Sequence, residues 1–212
     1  MARSLLILAV LVVLLWFALG TGRNIRKGNL LLRWLQGGLP LLGRRTTLRW
    51  LGSSAVRLEI VDPRPPFREA EVVVVLEPRD VGLLWAWARA RRRRDFLIVR
   101  ARLERSPRFE LVAADLRGWT GRDALRDVDP EAWTFADFGD PSIRAAHGPG
   151  AEPATTRQLW DRLAGASGGV WRLSIRRTPP HLEVHLLPPD TAAVGAEGLI
   201  GTVAEVARAA TT

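Results

Sequence analysis

The chain has 212 residues, which is enough for one hydrophobic segment and one folded domain of ordinary size. Hydrophobic residues make up 47% of it and nine residues are tryptophan, which favours a packed domain over a disordered chain. The formal net charge is +9, and the absence of cysteine excludes disulfides, cysteine-ligated zinc and thiol catalysis.

The first element is a hydrophobic segment over residues 5–22, which contains no charged side chain. At about 1.5 Å per residue this segment makes a helix of about 27 Å, close to the ~30 Å hydrocarbon core of a bilayer. Trp16 and Phe17 lie towards one end, where aromatic rings favour the lipid–water boundary. Residues 1–22 are therefore predicted to form a transmembrane anchor.

The charges that flank the anchor predict its orientation. Arg3 precedes it, whereas a run of basic residues follows: Arg23, Arg26, Lys27, Arg33, Arg44, Arg45 and Arg49. By the positive-inside rule the N-terminus faces outward and the domain lies in the cytoplasm, as in a single-pass cell-membrane protein. A cleaved signal peptide is the alternative, because Ala18 and Gly20 suit a signal peptidase.

Residues 23–52 are predicted to be a basic juxtamembrane segment. Leucine, tryptophan and arginine alternate irregularly over residues 29–51, which favours short amphipathic helices broken at residues 37–40. These helices would lie on the membrane surface or, as the alternative, pack against the domain. Arg23, Arg26 and Lys27 are the predicted contacts to anionic lipid headgroups, since they follow the anchor directly.

Residues 53–212 are predicted to form a soluble α+β domain. Alternating and β-branched runs predict strands, and residues 81–92, 152–166 and 196–209 carry helical patterns. Residues 96–103 and 109–114 are expected to form a hairpin, and short helical pieces are expected at residues 123–128 and 131–138. The predicted order after the anchor is β-β-α-β-β-α-β-β-α, with antiparallel strand pairs.

One strand carries the only pattern that suggests a metal. His181, Glu183 and His185 alternate, so their side chains point to one face of the strand about 7 Å apart. These three residues are weak metal candidates, because such a row is more often the solvent face of a strand whose leucines and valine pack inward. No catalytic motif occurs in the sequence, so a non-enzymatic protein without a cofactor is predicted.

Arginines supply the stronger indication of a binding site. The predicted partner or phosphate-binding residues end the second helix and continue into the following strand: Arg89, Arg91, Arg92, Arg93, Arg94, Arg100 and Arg102. Arginine binds phosphate through a planar fork of donors, so ribosomal RNA or anionic lipid would suit this surface. A solvated face with no partner is the alternative.

Several stretches resemble the membrane-anchored coiled-coil-domain subunit of the eukaryotic PAT complex, which acts beside the ER translocon. They are residues 22–24, 31–34 and 76–84, followed by residues 96–103 and 109–114. The resemblance implies a cytosolic, non-enzymatic domain that binds the ribosome or the translocon and assists membrane-protein insertion. The alternative function is an exported extracytoplasmic domain of unknown activity, in which the histidine row binds metal.

Overall fold

The computed structural model describes residues 2–126 and 128–212. Helix α1 covers Ala2–Leu35 and is the one helix among these residues that is long and apolar enough to cross a membrane. Its hydrophobic side chains from Leu5 to Leu19 are all exposed, so the described chain leaves about half or more of the surface of the large ones uncovered. This pattern fits an anchor and differs from that of a core helix, whose apolar side chains are covered by the protein.

Helix α1 does not stop at the end of the apolar segment. It continues through the basic residues to Leu35, where Leu31, Leu32 and Leu35 are buried in the domain core. The core therefore begins within the segment that was predicted to be juxtamembrane. A single 3₁₀ turn at Leu39–Leu41 follows, in the region predicted to break the helices.

The strands form a single nine-stranded antiparallel sheet. They are β1 (Gly43–Trp50), β2 (Ala55–Pro63), β3 (Phe67–Val75), β4 (Phe96–Leu103), β5 (Leu111–Asp115), β6 (Thr134–Asp137), β7 (Ile143–His147), β8 (Gly169–Ile175) and β9 (Leu182–Leu187). Their order across the sheet is β1-β2-β3-β4-β9-β8-β5-β7-β6. The prediction of a long apolar N-terminal helix followed by an α+β domain with antiparallel strands is confirmed.

Three further helices accompany the sheet: α2 (Gly82–Ala90), α3 (Pro153–Ala166) and α4 (Ala196–Thr211). Helices α3 and α4, the end of α1 and the inward side chains of the strands share one hydrophobic core. In β4 these inward residues alternate with Arg100 and Arg102, which lie on the opposite face. The sheet therefore has one apolar face under helices and one face that carries charged side chains.

The detailed order of elements differs from the prediction in two regions. The segment from Gly43 to Trp50 is a strand and not an amphipathic helix, because it pairs along its length with β2. Strand β6 occupies half of the predicted helical piece at residues 131–138. The piece at residues 123–128 includes Asp127, which lies outside the described residues, and its other residues form turns or bends.

The predicted hairpin of residues 96–103 and 109–114 is wrong. Strand β4 pairs with β3 and β9, whereas β5 pairs with β7 and β8. The β8–β9 hairpin lies between β4 and β5, because all four strands bury apolar residues under the same helices. Because β4 and β5 are separated by only a short connection in the sequence, they were expected to pair with each other. In the folded sheet each pairs with strands that are distant in the sequence.

Candidate membrane-interface site

The end of the apolar segment docks onto the loop between β3 and α2. The indole Nε1 of Trp16 donates to the carbonyl oxygen of Arg79 over 3.1 Å. Asn24 is fully buried, and its Nδ2 donates to the carbonyl oxygen of Glu77 over 3.0 Å. These two contacts lie about two turns apart on α1, so they fix the helix against the loop at two heights.

Gly20 allows the close approach between these two contacts. A Cβ atom at this position would overlap the carbonyl group of Arg79 and lie 2.6 Å from the Cα of Asp80. The small residue that suggested a signal-peptidase site in the sequence therefore has a packing role in the structure.

Alanine at position 20 is expected to lower the free energy of unfolding by about 1–3 kcal/mol, since backbone atoms have to move to admit the methyl group. Gly22 is the matched control, because nothing lies within 4 Å of a Cβ atom there. Gly22→Ala is expected to be neutral or stabilising by up to ~1 kcal/mol through helix propensity. Denaturant unfolding of the full chain in detergent micelles measures both variants, and equal effects would contradict the docking role of Gly20.

A group of charged side chains surrounds the docked helix. Arg79 forms a two-pronged ion pair with Asp95, with nitrogen–oxygen distances of 3.0 and 2.9 Å. Lys27 pairs with the same carboxylate, and Arg79 also donates to Oδ1 of Asn24 over 3.1 Å. Glu77 donates its backbone N–H to Asp95 over 2.7 Å. Helix α1, the loop after β3 and the start of β4 thus meet at one carboxylate.

Burial disfavours the charged form of Asp95, but the donors around it outweigh this effect. Hydrogen bonds from Arg79, Lys27 and the backbone of Glu77 hold the pKa of Asp95 below its ordinary value. Burial likewise opposes the charge on Arg79, and the bond to Asp95 more than compensates, so the pKa of Arg79 is raised. Both groups are ionised at neutral pH, which makes this a buried ion pair beside the point where α1 docks onto the domain.

The arginines at the end of α2 each have an identifiable environment. Arg89 lies 3.6 Å from the carboxylate of Glu77 and over the ring of Trp85. Arg91 lies over Trp87 at 4.4 Å, and Arg93 lies over Trp119 at 5.4 Å.

The other two arginines have no tryptophan beneath them in the described chain. Arg94 donates to the carbonyl of Arg93, and Arg92 is an exposed residue with a φ of 60° just after the helix. The structure therefore brings Arg89 and Arg91 to Arg94 together, as the sequence predicted.

Arg100 and Arg102 lie elsewhere, on the charged face of the sheet. Arg100 donates Nε to Glu183 over 2.8 Å and lies 3.5 Å from Glu71. Arg102 lies 3.5 Å from Glu69. Both arginines have acidic partners on neighbouring strands, so they are part of an ion-pair network across the sheet and differ in this respect from the arginines that follow α2.

The three residues predicted to contact lipid headgroups have different environments in the structure. Arg23 and Arg26 are exposed on α1, as expected for such contacts. Lys27 instead pairs with Asp95, and it lines an open cleft of about 610 Å³ together with Arg89 and Arg94. Lys27 is thus a docking residue at the edge of a basic cleft.

The histidine row does not form a metal site in the described part of the chain, where no group of three acidic or histidine residues could hold a metal ion. His181 accepts a hydrogen bond from the backbone N–H of Leu103. His185 pairs through Nε2 with Glu183 over 2.9 Å. All three side chains are buried, which contradicts the expectation of a solvent face, although Leu182, Val184 and Leu186 pack inward as predicted.

Glu183 is the centre of the charged face. Burial alone would raise its pKa, but the hydrogen bond to His185 and the nearby charges of Arg172 and Arg100 lower it to about 2. Burial also lowers the pKa of His185, against the opposing effect of Glu183, so the imidazole is mainly neutral at pH 7. The neutral ring then donates Nε2–H to the carboxylate.

Asn24, Glu77, Arg79 and Asp95 were not singled out by sequence reasoning. An asparagine directly after an apolar segment reads as a helix-flanking polar residue, and Pro78, Arg79 and Asp80 read as the opening of a helix. A detectable signal was the position of Glu77 and Asp95 directly beside strand residues and near arginines, since buried carboxylates need cationic partners.

Comparison with known proteins adds no relative. No protein-family model matches the chain, and no curated protein is significantly similar to it.

Proposed function

We propose that the protein is a single-pass membrane-anchored binding module whose domain lies on the cytoplasmic face, where it assists membrane-protein insertion at the ribosome and translocon. The main support for a membrane-anchored module is that α1 is continuous from the exposed apolar segment into the domain core. At about 1.5 Å per residue, Gly22 and Leu31 are about 14 Å apart along the helix. The domain is therefore held close to the bilayer surface.

The ion pair between Arg79 and Asp95 and the buried Asn24 give this attachment a fixed geometry. A domain on a flexible linker samples many heights above a membrane, whereas a docked helix presents the same surface at one height. This rigidity supports a role in which a large membrane-bound partner is met at a defined position. The cytoplasmic orientation is supported by the basic residues that follow the span, including the exposed Arg23 and Arg26.

The positive charge of the chain supports a partner that carries phosphates, and the resemblance to the translocon-associated subunit supports the ribosome as that partner. Full-length protein in detergent micelles is expected to co-sediment with ribosomes at low salt. Binding should weaken steeply between about 50 and 200 mM salt, because cations at the interface replace counterions on the RNA. The measurement is the fraction of protein in the ribosome pellet across a salt series.

Protein that stays in the supernatant at every salt concentration would contradict the ribosome part of the proposal. A reporter fused after Thr212 tests the orientation independently, since it should be active only in the cytoplasm. Activity only outside would place the domain on the other face and contradict the whole proposal.

A further inference from the structure

Helix α2 exposes apolar side chains that the described chain covers only in part, as at Trp87, whose ring centroid lies 5.9 Å from that of Trp119. Leu83 is 89% exposed, and Val81, Leu84 and Trp87 are also exposed. Trp85 turns towards the domain, where its Nε1 donates to Glu77 over 2.7 Å. Exposing so much apolar area to water would be unfavourable. This face of α2 is therefore expected to contact something other than water.

The start of α2 packs beside the apolar segment of α1. The rings of Trp16 and Trp85 lie 6.3 Å apart, and a Cβ atom on Gly82 would lie 3.0 Å from the Trp16 ring. An open apolar groove of about 490 Å³ runs between the two helices, and its lining includes Val12, Val13, Trp16, Phe17, Val81 and Leu83. Leu83 is thus a neighbour of residues that belong to the predicted membrane span.

Position along α1 gives the depth of this contact. Trp16 lies about 12 Å before Asn24 along the helix axis, and Val12 lies about 18 Å before it. The polar contacts of Asn24 belong at the membrane surface, so side chains beside Val12 to Phe17 lie at the depth of acyl chains. Interfacial helices bury their apolar face about 5–10 Å into a bilayer, so the start of α2, which lies beside Trp16, is placed slightly deeper than such helices.

The other end of α2 is strongly basic. Residues 81–94 contain no acidic side chain, and Arg91, Arg92 and Arg94 are exposed. None of the described carboxylates lies within 4 Å of these three guanidinium groups, so their charge is available to a partner. Arg91 stacks over Trp87, an arrangement in which the indole lies at the lipid boundary and the cation reaches the phosphates.

We propose that α2 is a second membrane-contacting element, which lies in the bilayer interface with Leu83, Leu84 and Trp87 among acyl chains and Arg91, Arg92 and Arg94 on the phosphates of anionic phospholipids. The occupant of the groove between α1 and α2 is accordingly a phospholipid acyl chain. The apolar face and the arginines form one continuous surface along a single helix, which matches the order of acyl chain and phosphate in a lipid. RNA offers the phosphates but nothing for the apolar face to enter.

This assignment requires only that α1 spans the membrane, and it is independent of any contact with the ribosome. The chain has no cysteine, so a single label can be placed at one position. Leu83→Cys is labelled with bimane and reconstituted in vesicles of phosphatidylcholine and phosphatidylglycerol in equal amounts, with brominated acyl chains on one lipid or the other. Bromine quenches bimane only at short range, so quenching reports contact with acyl chains of the lipid that carries it.

Val194→Cys is the matched control. Val194 is also exposed, but its carbonyl accepts a hydrogen bond from the indole of Trp34, which lies about 18 Å beyond Gly22 along α1. Quenching at position 83 is expected to exceed that at position 194 several-fold. Equal quenching at the two positions would overturn the proposal that α2 enters the bilayer.

The arginines are tested by the triple substitution R91Q/R92Q/R94Q, which removes exposed charges and leaves the apolar face intact. With the original arginines, brominated phosphatidylglycerol is expected to quench position 83 about twofold more than brominated phosphatidylcholine. The triple variant should show equal quenching by the two lipids, while the difference between positions 83 and 194 remains.

An unchanged lipid preference in the triple variant would overturn the assignment of the arginines to lipid phosphates. Retention of a ribosomal RNA fragment by the same vesicles is measured in parallel. Loss of RNA retention with no change in lipid preference would assign these arginines to nucleic acid and would also overturn the proposal. Because the two readouts are separate, ribosome binding can fail while α2 is still found in the bilayer.

Discussion

Replacing Arg79 by alanine is expected to lower the free energy of unfolding by about 3 kcal/mol. Removing one partner of a buried ion pair costs about 3–5 kcal/mol, because the other charge stays buried without compensation. Only 6% of the Asp95 side chain is exposed, so the carboxylate cannot regain water. Lys27 still pairs with Asp95 in this variant, which places the expected loss at the lower end of that range.

The measurement is denaturant unfolding of the full chain in detergent micelles, followed by tryptophan fluorescence. Arg45→Ala is the matched control, because Arg45 pairs with Asp62 over a similar distance of 2.8 Å but both side chains are more than half exposed. An exposed pair of this kind contributes about 0–1 kcal/mol. Equal losses for Arg79→Ala and Arg45→Ala would contradict the role of Arg79 as the buried link.

A double-mutant cycle with Asp95→Asn separates the ion pair from the other contacts of Arg79. The arginine also donates to Asn24, and this bond survives the Asp95 substitution. The two substitutions are expected to be less damaging together than the sum of their separate effects, since the second removes a partner that the first has already lost. Strict additivity would mean that the two side chains are not coupled.

Replacing Glu183 by glutamine is expected to lower the free energy of unfolding at pH 7 by about 3–5 kcal/mol. The carboxylate lies 2.8 Å from Arg100 and 3.3 Å from Arg172, and it accepts a hydrogen bond from His185. Arg100 keeps Glu71 as a partner in the variant, but Arg172 has no other acidic partner within 4 Å among the described residues. Arg100 on β4 and Arg172 on β8 then lie on either side of β9 without the anion that separated them.

The effect of Glu183→Gln is expected to depend on pH with a definite sign. The pKa of Glu183 is about 2 in the folded chain, against an ordinary value of 4.5 for a solvated glutamate, so the folded state holds this proton less tightly. The carboxylate therefore contributes its full stability above about pH 4.5, and this contribution is lost as the pH falls through about 2. The difference between the original protein and the variant should shrink over the same window.

Unfolding curves between about pH 2 and pH 7 test this dependence. Glu59→Gln is the control, because Glu59 lies on the same face of the sheet but is more than half exposed and 3.8 Å from Arg57. Its substitution is expected to change the free energy of unfolding by less than about 1 kcal/mol at every pH. A pH-independent difference for Glu183→Gln would show that the charge of Glu183 is not the source of its stabilisation.

The features that the sequence predicted well are local ones. The apolar run, the basic residues after it and the helical pattern of α2 each depend on neighbours a few residues apart, and these predictions agree with the structure. The arginines that follow α2 lie together for the same reason, since they are consecutive or nearly so. Arg100 and Arg102 were grouped with them by proximity in sequence, but strand geometry turns them towards acidic residues on β3 and β9.

By itself, the sequence determined the long apolar helix, the excess of positive charge and the positions of most strands and helices, because hydropathy and periodicity depend on residues that are close together in the chain. Only the tertiary structure decided that α1 continues into the core and that β9 and β8 separate β4 from β5. It also decided that Asn24, Arg79 and Asp95 meet, although 53 residues separate Asn24 from its acceptor on Glu77. Such contacts between distant residues depend on how the whole chain buries its apolar surface, so they cannot be predicted from the pattern of neighbouring residues.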